Sequence, residues 1–484
     1  MDVALVGVVV PGVENHSLAA LGQALREGGF EYRVVPFLGF AGMNRMIDEV
    51  LRMRPRVCGV SLQTTEAALA ALTFTRLLRQ RGFAGTIAVG GHLASLAAGE
   101  ILAAPAGVDV VVRLAGEPAI VGLAAGDDPR SLPGAVTRDG EGPPPSPVKP
   151  RPPRREQLAE HLGFGSADLI VSRGCEAHCA YCCVAGVSDL ARVHGGVRYQ
   201  RREVEAIADE LAELTARGGR AFHFMDDNVL PMDPDEALAW TAALRSALAE
   251  RAVPPSAFSL QLRADAVTPA LAAGLAELGL ARAYVGIDGY SPGQLRALGR
   301  AAPAAAGNRA LAELSAQGIF CVANALLIGP TIGFETIVTE IEALASVRHA
   351  PVHLLPIEVR PGTAYYARAS ARNLVEGGLL WPAHRFEDER SFLLAQVVTG
   401  LPTRLTERSV PIALYDLGWA LGCARRLAPA AEVAAAAETY ARVTAAWNAD
   451  QVRVLRAAAA AVPGGRPAID ALLAAERPLV RAHD

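Results

Sequence analysis

A chain of 484 residues, 51% hydrophobic and 20% charged, holds enough apolar material for two or three domains and is too apolar for wholesale disorder. Its net charge of -4 argues against a general nucleic-acid binder. No uninterrupted apolar run reaches the roughly 18 residues of a membrane span, and MDVALVGVVVPG lacks the basic flank of a signal peptide, so a cytoplasmic protein that does not engage the membrane is expected.

The first 125 residues alternate short apolar runs with helical stretches. Strands are predicted at 3–10, 32–37, 57–62, 87–91 and 108–112, with helices over 17–28, up to Met53 and over 67–81 between them. This alternation predicts a doubly wound, Rossmann-like parallel sheet over 1–126. Residues 127–163 include EGPPPSPVKPRPPRRE, which has seven prolines and no apolar period, and read as a semi-rigid linker. A second series follows in 164–365, with strands at 168–173, 221–226, 257–262, 283–288, 320–329 and 352–359. Helices fit between them over 204–217, 235–251, 269–278, 308–316 and 335–346. Six β–α units in one run predict an α/β fold with a partial parallel barrel, whose chemistry sits at the carboxyl ends of the strands. Residues 366–484 read as an Ala-rich helical region with no strand series.

Four of the seven cysteines fall within residues 175–183, which suits metal binding better than a secreted disulfide framework. Cys175, Cys179 and Cys182 form a C-x3-C-x2-C spacing just after the first predicted barrel strand. Three thiolates on one loop can hold three irons of a 4Fe-4S cluster and leave the fourth open. Zinc would ask for four closed ligands, or three and a water, and here no second cysteine pair follows. Three core cysteines that lie close by chance are the remaining alternative.

This spacing in this place resembles the radical S-adenosylmethionine (radical SAM) superfamily, over about residues 168 to 365. The resemblance implies Cys175, Cys179 and Cys182 as cluster ligands, with S-adenosylmethionine (SAM) on the open iron. Reductive cleavage of SAM would give a 5′-deoxyadenosyl radical that abstracts hydrogen from the substrate. Tyr181 would lie beside the adenine, and Asp226, Asp227 and Asn228 at the SAM amino group. Asp288, in VGIDGYS, would approach the ribose. Arg263 falls at the third strand end, and Ile328 and Gly329 close the fifth-strand segment that flanks the adenine through its backbone. A flavodoxin or ferredoxin is the implied electron donor.

The N-terminal sheet resembles the cobalamin-binding domain found before the barrel in one branch of this superfamily. SLQT (61–64), VGGHLAS (89–95) and AGEP (115–118) carry the likeness, and cobalamin becomes a possible third cofactor. The D-x-H-x-x-G cobalt-ligand motif is absent, while His16 and His92 are the nearby histidines.

Two reactions are consistent with this. Asp226, Asp227, Asp265, Asp288 and Glu358 fall at strand ends against Arg263 and Arg360, and a surplus of acids suits a cationic, sugar-like small molecule. Asp226, Asp227, Asp265 and Glu358 are therefore catalytic candidates, and the favoured reaction is radical dehydration of a 1,2-diol, as in cobalamin-independent aminoglycoside diol dehydratases, completed by a partner reductase. The alternative is a cobalamin-dependent C-methyltransferase of secondary metabolism. Asp265 and Glu358 can equally pair with Arg263 and Arg360 as structural salt bridges. A non-catalytic corrinoid or redox carrier would need the N-terminal domain but not the cysteine loop.

Overall fold

The computed structural model describes the chain apart from residues 10–13, 146–147, 154, 156, 162, 301–302, 304, 380, 405–409, 428–430 and 476–484. Two seven-stranded sheets organise it. In the first, strands Tyr32–Pro36, Val3–Gly7, Val57–Ser61, Thr86–Gly90 and Val110–Val112 lie side by side and parallel. Their order puts the first strand between the second and third, the switch point at which doubly wound sheets open a crevice. Every residue of Val3–Gly7 is buried, which is why its sequence is continuously apolar rather than alternating.

Two short antiparallel strands, Ala135–Thr137 and Gly140–Glu141, extend this sheet, so the reading of 127–163 as linker alone is corrected. The turn between them needs backbone freedom, and Gly140 adopts a φ of 146°.

The second sheet runs Phe164–Leu169, Gly219–Phe224, Ala257–Arg263, Leu280–Asp288, Phe320–Ile328 and Val352–Pro356, all parallel and paired in chain order. The first and last of these strands do not pair, so the sheet curls into an open half-barrel. Ala159–His161 adds an antiparallel edge. The helices Val204–Ala216, Pro234–Glu250, Pro269–Leu278, Ala306–Ala316 and Phe334–Leu344 fill the crossovers. Leu169, Phe222, Phe258, Leu260, Val285 and Ile337 are among the side chains of the core between sheet and helices.

The first barrel strand is Phe164–Leu169 rather than 168–173. Gly165 and Ser166 pair with Gly219 and Ala221, and a Cβ at Gly165 would stand 2.9 Å from the Gly218 carbonyl oxygen. The next segment, Ser172–Gly174, leaves the barrel and pairs antiparallel with Tyr199–Arg201. The C-terminal part is helical, with helices Val410–Leu427 and Ala431–Ala461 among its elements, but it also holds a hairpin, Val375–Gly378 with Trp381–His384. Among the described residues no helix is long and apolar enough to cross a membrane.

Candidate active site at the junction of two sheets

The cysteine loop begins at Gly174, whose φ of 79° suits glycine and which packs tightly against the backbone of Arg198. The amide of Cys175 donates to Ser188 Oγ at 3.1 Å, and the amide of Ala177 donates to Cys175 Sγ at 3.4 Å. Further along, the Ala180 amide donates to the Leu298 carbonyl and the Tyr365 amide to the Ala180 carbonyl, both at 2.8 Å. Cys182 caps the helix Cys183–Val193. The loop is thus pinned through its backbone.

Among the described residues no three His, Cys, Asp or Glu side chains converge on one point. A cube in which each sulfur serves its own iron asks for spread rather than convergence. All three cysteines are free of disulfides, and Cys179 Sγ lies 3.3 Å from Arg263 Nη1 and 3.9 Å from Arg300 Nη1. Two guanidiniums beside the Cys179 sulfur bring positive charge to the place where an anionic cluster would sit, so donor set and charge fit an iron–sulfur cluster.

The expected SAM residues take more varied places. Asp226 is buried, and its carboxylate accepts hydrogen bonds from the amides of Val171 (2.9 Å) and Ser172 and from Ser172 Oγ (2.6 Å). Asn228 is buried too and donates to the Leu230 carbonyl. Asp226 thus braces the segment that follows the first barrel strand, and Asn228 its own loop. Asp227, by contrast, opens to a cavity deep within the protein. Burial pushes its carboxyl up, opposed by His92.

Tyr181 donates its hydroxyl to Asp288 at 2.7 Å. Asp288 is buried, follows a register shift in its strand, has a φ of 63° and lies 2.9 Å from Arg300 Nε. These three side chains form a closed network beneath Cys179. The carbonyl of Ile328 is taken by the Ile357 amide at 2.6 Å, and Gly329 leaves room for the Tyr365 hydroxyl. Arg263 chelates Asp265, and Arg360 pairs with Glu358 while its Nη1 lies 3.4 Å from Cys183 Sγ. The salt-bridge alternative therefore describes both Asp265 and Glu358.

Burial raises Asp226 from its ordinary 3.8 to about 7, against the pull of the hydrogen bonds from Ser172 and Val171. Between those values the folded chain holds a proton that the unfolded chain has released, so stability falls as pH rises through this window. At about 1.4 kcal/mol per unit, the loss is about 4 kcal/mol. Asp226→Asn keeps an acceptor and removes the titration. Melting curves from pH 4 to pH 8 should show a smaller decline for the variant than for the wild type, and parallel declines would count against the assignment.

The first sheet contributes the opposite wall. A cavity of about 390 Å³ is lined by Gly59–Ser61 and Gln63, by Gly90–His92 and by Leu114–Glu117, all at or after strand carboxyl ends, and by Met225 and Asp227 of the barrel. Gly91 has a φ of 117°, and a Cβ there would stand 2.5 Å from the Leu62 carbonyl oxygen. Gln63 ties the loops together, donating to Ser61 Oγ at 3.0 Å and accepting from the His92 amide at 3.0 Å. Arg173 of the barrel pairs with Glu117 across the junction. A glycine-bearing wall at the carboxyl ends of a doubly wound sheet fits a flat, amide-rich ligand such as a corrinoid.

Sequence reasoning missed the contacts across this junction. His92 hydrogen-bonds Cys183 and faces Asp227; burial would lower it, but these partners raise it. Cys183 is pulled down by the hydrogen bond from Cys182 and by His92 and Arg360. Arg300, the partner of Asp288, was missed as well. VGGHLAS marked the loop of His92, and nothing in the sequence marked its partner.

The model of the radical SAM superfamily matches residues 169–344, and that of the B12 binding domain matches residues 3–124. None of the curated proteins matches. Among solved structures, the radical SAM methyltransferase TsrM from Kitasatospora setae, with cobalamin and a 4Fe-4S cluster bound, is 19% identical. That match covers 77% of this chain and 75% of that one, with a TM-score of 0.60. The cobalamin-dependent SAM radical enzyme OxsB, with aqua-cobalamin and SAM bound, is 14% identical, over 98% of this chain and 80% of that one, with a TM-score of 0.62. At these identities the likeness is one of fold. The chain is a member of the radical SAM superfamily in which a B12-binding domain precedes the radical SAM domain.

Proposed function

We propose that this radical SAM enzyme is a cobalamin-dependent methyltransferase acting on a small molecule in the cytoplasm, with a flavodoxin or ferredoxin as electron donor. One observation carries the reading: the carboxyl-end loops of the B12-binding domain and Met225 and Asp227 of the barrel line the same cavity. A carrier held in the first domain and radical chemistry started in the second would then share one space. TsrM, a methyltransferase, has this fold with cobalamin bound.

The acids that favoured dehydration of an amino sugar have other partners. Asp226 holds backbone amides, and Asp265, Asp288 and Glu358 each pair with an arginine. Of these five acids, Asp227 opens to the cavity and is faced by His92 rather than by an arginine. Without that surplus, the case for a cationic sugar and for a partner reductase lapses. A carrier without catalysis would have no use for the cysteine loop.

When bound, the cluster and SAM supply an electron and a carbon radical, and cobalamin supplies a transferable methyl group. Cys175, Cys179 and Cys182 would hold the cluster, with Arg263 and Arg300 offsetting its negative charge. Gln63 and Gly91 would shape the corrinoid wall. Asp227, its carboxyl raised by burial, is placed to accept or return a proton at the cavity edge.

The test is to add hydroxocobalamin to anaerobically reconstituted protein, desalt it and record the visible spectrum. Near-stoichiometric retention is expected, with S-adenosylhomocysteine forming beside 5′-deoxyadenosine on turnover. Loss of the corrinoid on desalting, with SAM still cleaved to 5′-deoxyadenosine, would overturn the proposal.

A further inference from the structure

Parallel partners in a sheet point to the same face, so the pairings assign the inner wall of the half-barrel. Phe258, Leu260 and Leu262 pack outward into the helix core, which turns Gln261 inward. Its partner is Tyr284; one step higher Gly286 pairs with Asn324, and Asn324 with His353. Gln261 sits on a central strand flanked on both sides, yet it is exposed, and its amide has no hydrogen-bond partner among the described residues. An exposed side chain in that position means that the lumen is hollow.

The lumen's chemistry is neutral. His353 Nδ1 lies 3.3 Å from Asn324 Oδ1, and with Nδ1 as the donor there Nε2 is left as an acceptor. Burial lowers His353, and lowers His223 to about 3, which keeps both imidazoles uncharged. The cation Arg282 is consumed: it donates to the Tyr415 carbonyl at 3.0 Å and lies over the rings of Tyr284 and Trp419 at 4.7 and 5.2 Å. That contact covers one face of Tyr284. The helix Val410–Leu427 closes the wall from below, with Trp419 packed against Ala221, Ala257 and Ala281.

We infer that the lumen binds an uncharged planar ring of the substrate that carries hydrogen-bonding groups, stacked on Tyr284 and held by Gln261, Asn324 and His353. Among the described residues, Gln261, Asn324 and His353 offer the lumen amide and imidazole donors and acceptors rather than a carboxylate. The inference rests on the proposed function only in making this ring the group acted on. Binding itself requires no corrinoid.

The test uses cluster-reconstituted protein and saturation-transfer NMR with two probes, nicotinamide and 2-deoxystreptamine. Nicotinamide is expected to give a signal that Tyr284→Ala and Gln261→Leu each reduce about fivefold at unchanged iron content, with the melting temperature unchanged in Gln261→Leu, whose amide has no partner to lose among the described residues. The dicationic 2-deoxystreptamine should give none with the wild type and should bind the Gln261→Glu variant. Binding of 2-deoxystreptamine to the wild type, no nicotinamide signal, or a signal unmoved by the lumen variants would each overturn the inference. Corrinoid loss with nicotinamide binding intact would count against the methyltransferase reading alone.

Discussion

Replacing Cys179 by alanine should strip the reconstituted protein of most of its iron and abolish SAM cleavage. Cys179 is 8% exposed and its sulfur sits between Arg263 and Arg300, whose acids Asp265 and Asp288 are already held in ion pairs. Two remaining cysteines cannot fill three iron positions. The loop itself should persist, because backbone bonds from Ala180, Cys182 and Tyr365 hold it. Cys183→Ala is the matched control. It removes an adjacent thiol that contacts His92 and Arg360, and it should leave iron near the wild-type level of about four per chain. Iron and sulfide counts with the spectrum of the reduced protein check both. Equal iron in Cys179→Ala and wild type would sink the cluster assignment, and loss of iron in Cys183→Ala alone would shift the ligand set by one residue.

What the sequence made legible follows from burial. Strands covered on both faces, such as Val3–Gly7 and Val57–Ser61, read as apolar runs, and Pro269–Leu278 announces itself through Thr268 as cap and Gly279 as stop. The cysteine loop was legible because local spacing is all that it needs. Phe164–Leu169 was hidden, since Gly165 and Ser166 lack strand propensity and sit there for backbone fit against Gly218. Pairings between distant segments were hidden as well. Arg173 with Glu117, and Cys183 with His92, join the two domains, and no local pattern records which loops meet. Short-range pairs are the exception: Arg263 with Asp265 and Arg360 with Glu358 stand two residues apart, and both could be named in advance. This matters for function, because the substrate expected from a surplus of acids depended on leaving those pairs unmade.

Asp288 gives the sharpest contrast between a resemblance and a packed structure. Placed by likeness, it serves the ribose of SAM, and Asp288→Ala would weaken SAM binding while barely touching stability. Its surroundings lead to another expectation. The carboxylate is 5% exposed, takes the Tyr181 hydroxyl at 2.7 Å and faces Arg300, whose side chain is 4% exposed. Removing it leaves a buried guanidinium without its counter-charge, a change that costs about 3–5 kcal/mol. Alanine would also have to hold the φ of 63° that aspartate tolerates better. The damage should reach the cluster, since Arg300 lies 3.9 Å from Cys179 Sγ. Asp288→Asn keeps the acceptor for Tyr181 and the backbone tolerance, so its loss should be the smaller of the two. Denaturant melts of both variants, run beside SAM titrations, separate the roles. A destabilised Asp288→Ala with SAM affinity falling only as cluster content falls fits the ion pair, whereas full stability with SAM binding lost would return Asp288 to the ribose.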